Sequence, residues 1–328
     1  MRRSPGLVAV IGWVVPLALG ATARPARAFD AVLSANQDTF INSAAADNND
    51  GASPSLYTGH NGMGGTMRAL VRFAIPSDWK GRVMVTRAVL AAITRGTGNA
   101  ETTVPTAATE ALQAVTTAWT EGTGFGDMTT MNTVGQACGT SGATWNQPNC
   151  AGGTPWSGGS VAATVSGAAS APAMIEATVT WDSATDGNAG MLADVQGWID
   201  VPGANQGWRL SSSTEDATSG EAQRFYSREV AGKGPTLTVT ATCRAGFVEV
   251  DGGCTAGSGA PDGGMPDGGG SIDSGTPPVQ RSSDSGCSCS LAASERQGPR
   301  GLLAASATFI AALAAARRRR RAARLSGT

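Results

Sequence analysis

Between Phe29 and Thr242 the chain is built of short runs in which apolar and polar residues alternate. "PTLTVTAT" alternates strictly, and "RALVRFAI", "TRAVLAAI" and "MIEATVTW" carry the same two-residue period less perfectly. Each run is bounded by Gly, Pro, Asn or Asp, which is the pattern of half-buried strands joined by turns. In "RALVRFAI", Leu70 or Val71 with Phe73 and Ile75 supplies a buried face. Sustained helical periodicity is almost lacking, and only "MLADVQGWID" reads equally well as a short helix or as a loop leading into a strand. Many short strands in roughly 200 residues predict an all-β fold, a single β-sandwich or jelly roll over residues 29–242.

Both ends of the chain follow other patterns. Arg2 and Arg3, an apolar stretch from Leu7 to Leu19 and the small-residue ending Ala26-Arg27-Ala28 form a secretory signal peptide over residues 1–28, cut before Phe29. After the strands come "CRAGFVEVDGGC", a small loop over 243–254, and a Gly, Pro, Asp and Ser-rich spacer over 255–286. The spacer has too little apolar surface to offset its ordering entropy, so a disordered linker is expected. Residues 301–316 are apolar and uncharged and run into Arg317–Arg321. A helix of that length just spans a hydrocarbon core, and the arginines keep their end cytoplasmic.

Charge and cysteine count narrow the function. Between residues 29 and 294 there are 12 basic and 24 acidic residues, a formal charge of −12. That balance argues against nucleic acid, whose phosphates need a basic surface, and suits calcium with its oxygen ligands. In an exported chain Cys138 with Cys150, and Cys243 with Cys254, read as local disulfides, while Cys287 and Cys289 are too close for a relaxed bridge. The turn "DNNDG" offers Asp47, Asn49 and Asp50 to a structural calcium, with a plain Asx-rich turn as the default reading. His60 is the only histidine, so neither a Ser-His-acid triad nor a multi-histidine metal site is readily built.

Two resemblances follow from the order of these features. Cys-Ser-Cys, a short linker, the apolar run and the terminal arginines, residues 286–324, resemble the MYXO-CTERM sorting signal. That resemblance implies a myxosortase-like intramembrane protease acting near Cys287 or Cys289, and an exported protein anchored at the cell surface after passing through the inner membrane. The succession "DTFINS", "NNDG", "LYTG", "RALVRFAIP", "AWTEG", "TWNQP", "NQGWRL", "RFYSRE" and "PTLTV" resembles the DNRLRE domain, a disaggregatase-related module grouped with carbohydrate-binding modules. The resemblance implies a β-sandwich of the carbohydrate-binding kind, and with a single histidine and no identifiable carboxylate pair the chain reads as a non-enzymatic surface module that binds polysaccharide of matrix or prey. The alternatives are a structural or adhesive surface protein with a protein partner, or a polysaccharide-degrading enzyme.

A sugar's C–H face stacks on an exposed aromatic ring while its hydroxyls meet polar side chains. Trp156 in its Gly/Pro loop is the leading platform, with Trp145 and Tyr57 beside it. Arg72, Arg228 and Glu229 supply paired charges, fixing the fold or meeting the ligand. Trp119 and Glu121, taken as strand residues, would share one face. An acidic module should disfavour acidic glycans unless Arg82, Arg87, Arg95, Arg224 and Arg228 gather in one patch.

Overall fold

The computed structural model describes residues 27–257, apart from residues 63, 98–100, 126–134 and 219. Residues 1–26 of the expected signal sequence, the spacer beyond Gly257, Cys287, Cys289, the apolar run 301–316 and the arginine cluster lie outside the described residues. No described helix is long and apolar enough to cross a membrane.

The strands in chain order are β1 (Ala28–Asn42), β2 (Asn48–Asn49), β3 (Ser55–His60), β4 (Thr66–Phe73), β5 (Val83–Ile93), β6 (Ala108–Ala114), β7 (Gln136–Ala137), β8 (Gly167–Ala171) and β9 (Thr178–Asp182). One helix, α1 (Gly190–Asp200), is followed by β10 (Trp208–Ser212), β11 (Glu221–Tyr226), β12 (Thr236–Cys243), β13 (Phe247–Val250) and β14 (Gly253–Ala256). The all-β expectation holds, and "MLADVQGWID" resolves to the helix. Its Met191, Val195, Trp198 and Ile199 recur at helical spacing and are all buried in the main core.

Every strand pairing is antiparallel, and β1 belongs to two sheets. Its first half pairs with β12 from Ala28↔Thr242 to Ser34↔Thr236, in a sheet ordered β1, β12, β5, β9. Its second half pairs with β4, in a sheet ordered β8, β6, β10, β4, β1. The register shifts between Ala35 and Gln37, leaving Asn36 as the extra residue of a bulge that bends the strand from one sheet into the other. The pair β3 and β11 continues from the far end of β4, and a bridge from Thr94 to Phe225 links it back to β5. The result is a nearly closed sandwich.

Between the sheets lies a core containing Phe73, Trp181, Trp198, Trp208, Phe225, Leu237 and Val239. A second cluster sits on the outer face of the β4 sheet, where the long connection from β6 to β8 folds back over Ile41 and Leu70. Trp119 and Trp156 of that connection fill the cluster, with Trp145 packed at its edge. A third, small cluster joins Phe40, Tyr57 and Met67. Two disulfides form as expected: Cys138–Cys150 closes a loop of the connection, and Cys243–Cys254 ties the β13–β14 hairpin to the end of β12.

Glu110 points inward from β6 and is fully buried. Neither of its oxygens reaches hydrogen-bonding geometry, although the hydroxyls of Thr58 and Ser212 lie close. Burial pushes its carboxyl up to about 7, and those hydroxyls counter only part of the effect. A carboxyl whose folded value is raised contributes stability that is full below its unfolded value and lost as pH rises through the folded one. Glu110→Gln should therefore melt above the native protein at pH 8, with the advantage shrinking toward pH 4.5; parallel melting profiles across that range would reject the assignment. Trp156→Ala should cost about 3–5 kcal/mol in denaturant unfolding, as a buried tryptophan does, whereas a loss below 1 kcal/mol would mean that the second cluster is dispensable.

Candidate functional site

The structure redistributes the expected sugar platforms. Trp156 is 6% exposed, and its indole N–H donates to Thr144 O at 2.8 Å, so the Gly/Pro loop presents it to the sheet and not to solvent. Tyr57 is also buried, edge-on to Phe40 with ring centroids 4.9 Å apart and with the Arg224 guanidinium 5.3 Å from its ring. Among the described tryptophans, Trp145 alone is not fully buried.

Trp145 has a polar border suited to hydroxyl groups. The guanidinium of Arg68, which points outward from β4, lies 5.0 Å from its ring. Arg68 donates from Nε and Nη2 to the Glu215 carboxylate at 2.9 and 2.7 Å, and from Nη1 to Gly158 O at 3.0 Å. Gly158 has φ +85°, and a Cβ there would come within 2.8 Å of Trp145 and 2.7 Å of Arg68. Glycine is thus required both by conformation and by the close approach of the ring. Asn146, next to Trp145 in the chain, donates from Nδ2 to Asp47 Oδ1 at 2.8 Å, which binds the expected calcium turn to the loop carrying Trp145. Residues 47, 68, 145, 146 and 215 converge here from four segments, and Glu215 carries no local sequence signal that points to it.

The other two members of the expected calcium set have separate surroundings. Asn49 is consumed as a staple: Nδ2 donates to Glu121 O at 2.7 Å and Ala143 O at 2.9 Å, and Oδ1 accepts from Gly51 N and Gly124 N. Its side chain therefore has no free oxygen to offer a cation. Asp50 is 1% exposed with neither oxygen hydrogen-bonded, and burial raises its carboxyl well above the usual range.

Arg228 and Glu229 do meet, with Nη2 3.3 Å from Glu229 Oε1, but the principal partner of Arg228 is Glu121. Its Nε and Nη2 donate to the two oxygens of that carboxylate at 2.7 and 2.6 Å. The same pocket of charge includes Asp38, two residues past the bulge of β1: Asp38 N donates to Glu121 Oε1, and Asp38 Oδ2 accepts from Arg228 N, both at 2.8 Å. Burial raises the Asp38 carboxyl well above its ordinary value, opposed by the Arg228 N–H. Glu121 and Trp119 are loop residues, so strand alternation does not govern them. The Trp119 indole is buried and donates to Gln206 O at 2.8 Å.

Arg72 stands apart from Glu229. It donates to Gln37 Oε1 at 2.5 Å and Gln206 Oε1 at 3.3 Å, with its guanidinium 5.7 Å from the Trp119 ring. The other arginines of the anticipated basic patch do not gather. Arg87 pairs with Asp182, Arg95 and Arg224 are buried beside Glu101, and Arg82 lies over Phe247. The arginines that do share a face are Arg68, Arg72 and Arg209, arranged around Leu70, to which Arg209 is paired in register. Burial and the nearby Arg68 lower Arg209 to about 10.

No curated protein matches the chain. Residues 30–166, from the second residue after the start of β1 to the residue before β8, match the model of carbohydrate-binding module family 96, a segment that holds Asp47, Arg68, Glu121, Trp145 and Trp156. The match indicates a carbohydrate-binding module and, with it, a carbohydrate ligand.

Proposed function

We propose that the protein is a non-catalytic, cell-surface module that binds polysaccharide of matrix or prey at the Trp145 site. The observation that carries this reading is the partly buried Trp145 ring, in a segment matching a carbohydrate-binding module, beside the Arg68–Glu215 pair. With the Arg68 guanidinium over the ring, the part of Trp145 left open to solvent would meet a sugar's C–H groups. The Arg68–Glu215 pair beside the ring and the Asn146–Asp47 pair on the same loop would offer donors and acceptors to the hydroxyls.

The same proposal covers display. The signal peptide exports residues 29–328, the 255–286 spacer holds the sandwich away from the envelope, and the MYXO-CTERM-like segment delivers it to a myxosortase-like protease that acts near Cys287 or Cys289. Intact mass measurement of the protein extracted from the cell surface checks this. A mass lacking residues 1–28 and the 301–328 segment is expected, and a full-length mass would overturn it.

Binding is tested by glycan array and pull-down on insoluble polysaccharides, with neutral and uronate-containing chains at low and high salt. Saturable binding is expected for the native protein. Trp145→Ala should weaken it at least tenfold and Glu215→Gln several-fold, with melting curves verifying that both variants fold. No binding by the folded native protein, or unchanged binding by Trp145→Ala, would reject the site.

A further inference from the structure

The network around Asp38 contains more negative charge and more acceptors than its own donors satisfy. Asp38 in β1, Glu121 in the β6–β8 connection and Glu229 after β11 each bring one carboxylate oxygen within 4.8 Å of the other two. Glu121 Oε1 already accepts two hydrogen bonds, from Asp38 N and Arg228 Nε, whereas Oε2 accepts only from Arg228 Nη2. Asp38 Oδ2 accepts from Arg228 N, but Asp38 Oδ1 accepts nothing although the residue is 1% exposed. A buried carboxylate oxygen without a donor is costly, so this one calls for a cationic or protic partner.

Among the described residues the Arg228 guanidinium pairs with Glu121 and Glu229, and Asp38 meets only the Arg228 backbone N–H, so three carboxylates share one cation and, when all are ionised, two negative charges are left over. Arg72 lies near enough to feel Glu121 but spends its hydrogen bonds on Gln37 and Gln206. Two uncompensated charges correspond to one divalent ion. Calcium binds oxygen at 2.3–2.6 Å, so oxygens on opposite sides of one ion stand about 4.8 Å apart. The observed separations fall within that span. An all-carboxylate set with no histidine or thiolate favours a hard ion over zinc or copper, and an irregular arrangement on three separate segments suits calcium better than magnesium.

We propose that Asp38 Oδ1, Glu121 Oε2 and the exposed Glu229 carboxylate hold a calcium-class divalent cation, with solvent completing its coordination from the Glu229 side. Arg228 stays beside the ion as the counter-charge to the Glu121 oxygens that the ion does not use. The ion would join the bend of β1 to two loops that are otherwise connected there through Arg228. This site is separate from the Trp145 platform and does not depend on the glycan reading.

The full chain, stripped with chelator, is titrated with calcium by calorimetry and with terbium, whose luminescence is excited through Trp119 two residues from Glu121. One equivalent bound, with terbium displaced by calcium and not by equal magnesium, is the expected result. Glu229→Gln alters an exposed side chain and should fold; it should weaken calcium at least tenfold. No saturable binding by the folded chain, or unchanged affinity in Glu229→Gln, would overturn the proposal. So would loss of binding in Asp50→Asn with normal binding in Glu229→Gln, which would place the ion at the buried Asp50 turn.

Discussion

A single strand sets the geometry of the sandwich. Because β1 pairs with β12 through its first half and with β4 through its second, the angle and spacing of the two sheets are fixed by the bend at Asn36. The extra residue also changes which side chains face the core. Phe29, Ala31 and Leu33 pack on the core before it, and Ala35 completes that set where the bulge begins. Asp38 follows two residues past the bulge, buried where an apolar residue would be expected. Its backbone N–H binds Glu121 and its carboxylate binds the Arg228 backbone, so the bend is tied at once to the loop over one sheet and the loop at the end of β11. A one-residue slip here would move every later side chain of β1 to the opposite face.

The burial of the tryptophans follows from the strands around them. β6 reads "ATEALQA" and β8 reads "GAASA", while β5 and β12 are dominated by Val, Ala and Thr. Such side chains leave space between the sheets, and interiors must pack to crystal-like density. The volume is supplied by a few large rings: Trp181, Trp198 and Trp208 between the sheets, and Trp119 and Trp156 under the long connection. Each of these except Trp198 donates its indole N–H at 2.8 Å, to Gln206 O, Thr144 O, Glu110 O or Asp194 Oδ2, so burial leaves no stranded donor among them. Trp156 resembles a loop residue in sequence because its Gly and Pro neighbours are turn formers. The turn they form is what lets the ring fold down onto Ile41 and Leu70.

Local chemistry was readable and distant pairing was not. Strict alternation identified β12, and turn residues bounded β4, β5 and β9. Cysteines 12 and 11 residues apart were recognisable as loop closures. The alanine-rich β6 and β8 have too little contrast between their faces to register as strands, and the 15 residues of β1 are hidden by the bulge that breaks its period. The site chemistry joins residues far apart in the chain: Arg68 reaches Glu215 across 147 positions and Arg228 reaches Glu121 across 107. Only the fold of β4 against β10, and of β11 against β3, brings them together. A sequence shows the ends of such pairs but not the pairing: Trp145, Arg228 and Glu229 stand out as residue types, whereas nothing local links Arg68 to Glu215, Asp38 to Glu121 or Asn49 to the carbonyls it holds.

The two polar sites are mechanically connected, because both hang from the β6–β8 connection. Asn49 binds the carbonyls of Glu121 and Ala143 with one amide, and Ala143 N donates to Thr120 O at 2.7 Å. Glu121 belongs to the carboxylate cluster, and Ala143 lies two residues before Trp145. Gly142 and Gly122, both at positive φ, pack so closely on the Asn49 side chain that a Cβ at either would fall within 2.5 Å of it. These contacts make the 120–122 and 142–145 segments one body, clamped further by Cys138–Cys150. Displacing Glu121 would therefore move the floor beneath Trp145, whereas a change at the outer edge of the ring need not disturb the cluster. Stability at the bend of β1 and order at the Trp145 ring are thus expressions of the same packed loop, and Asn49, through its buried amide, is the residue that joins them.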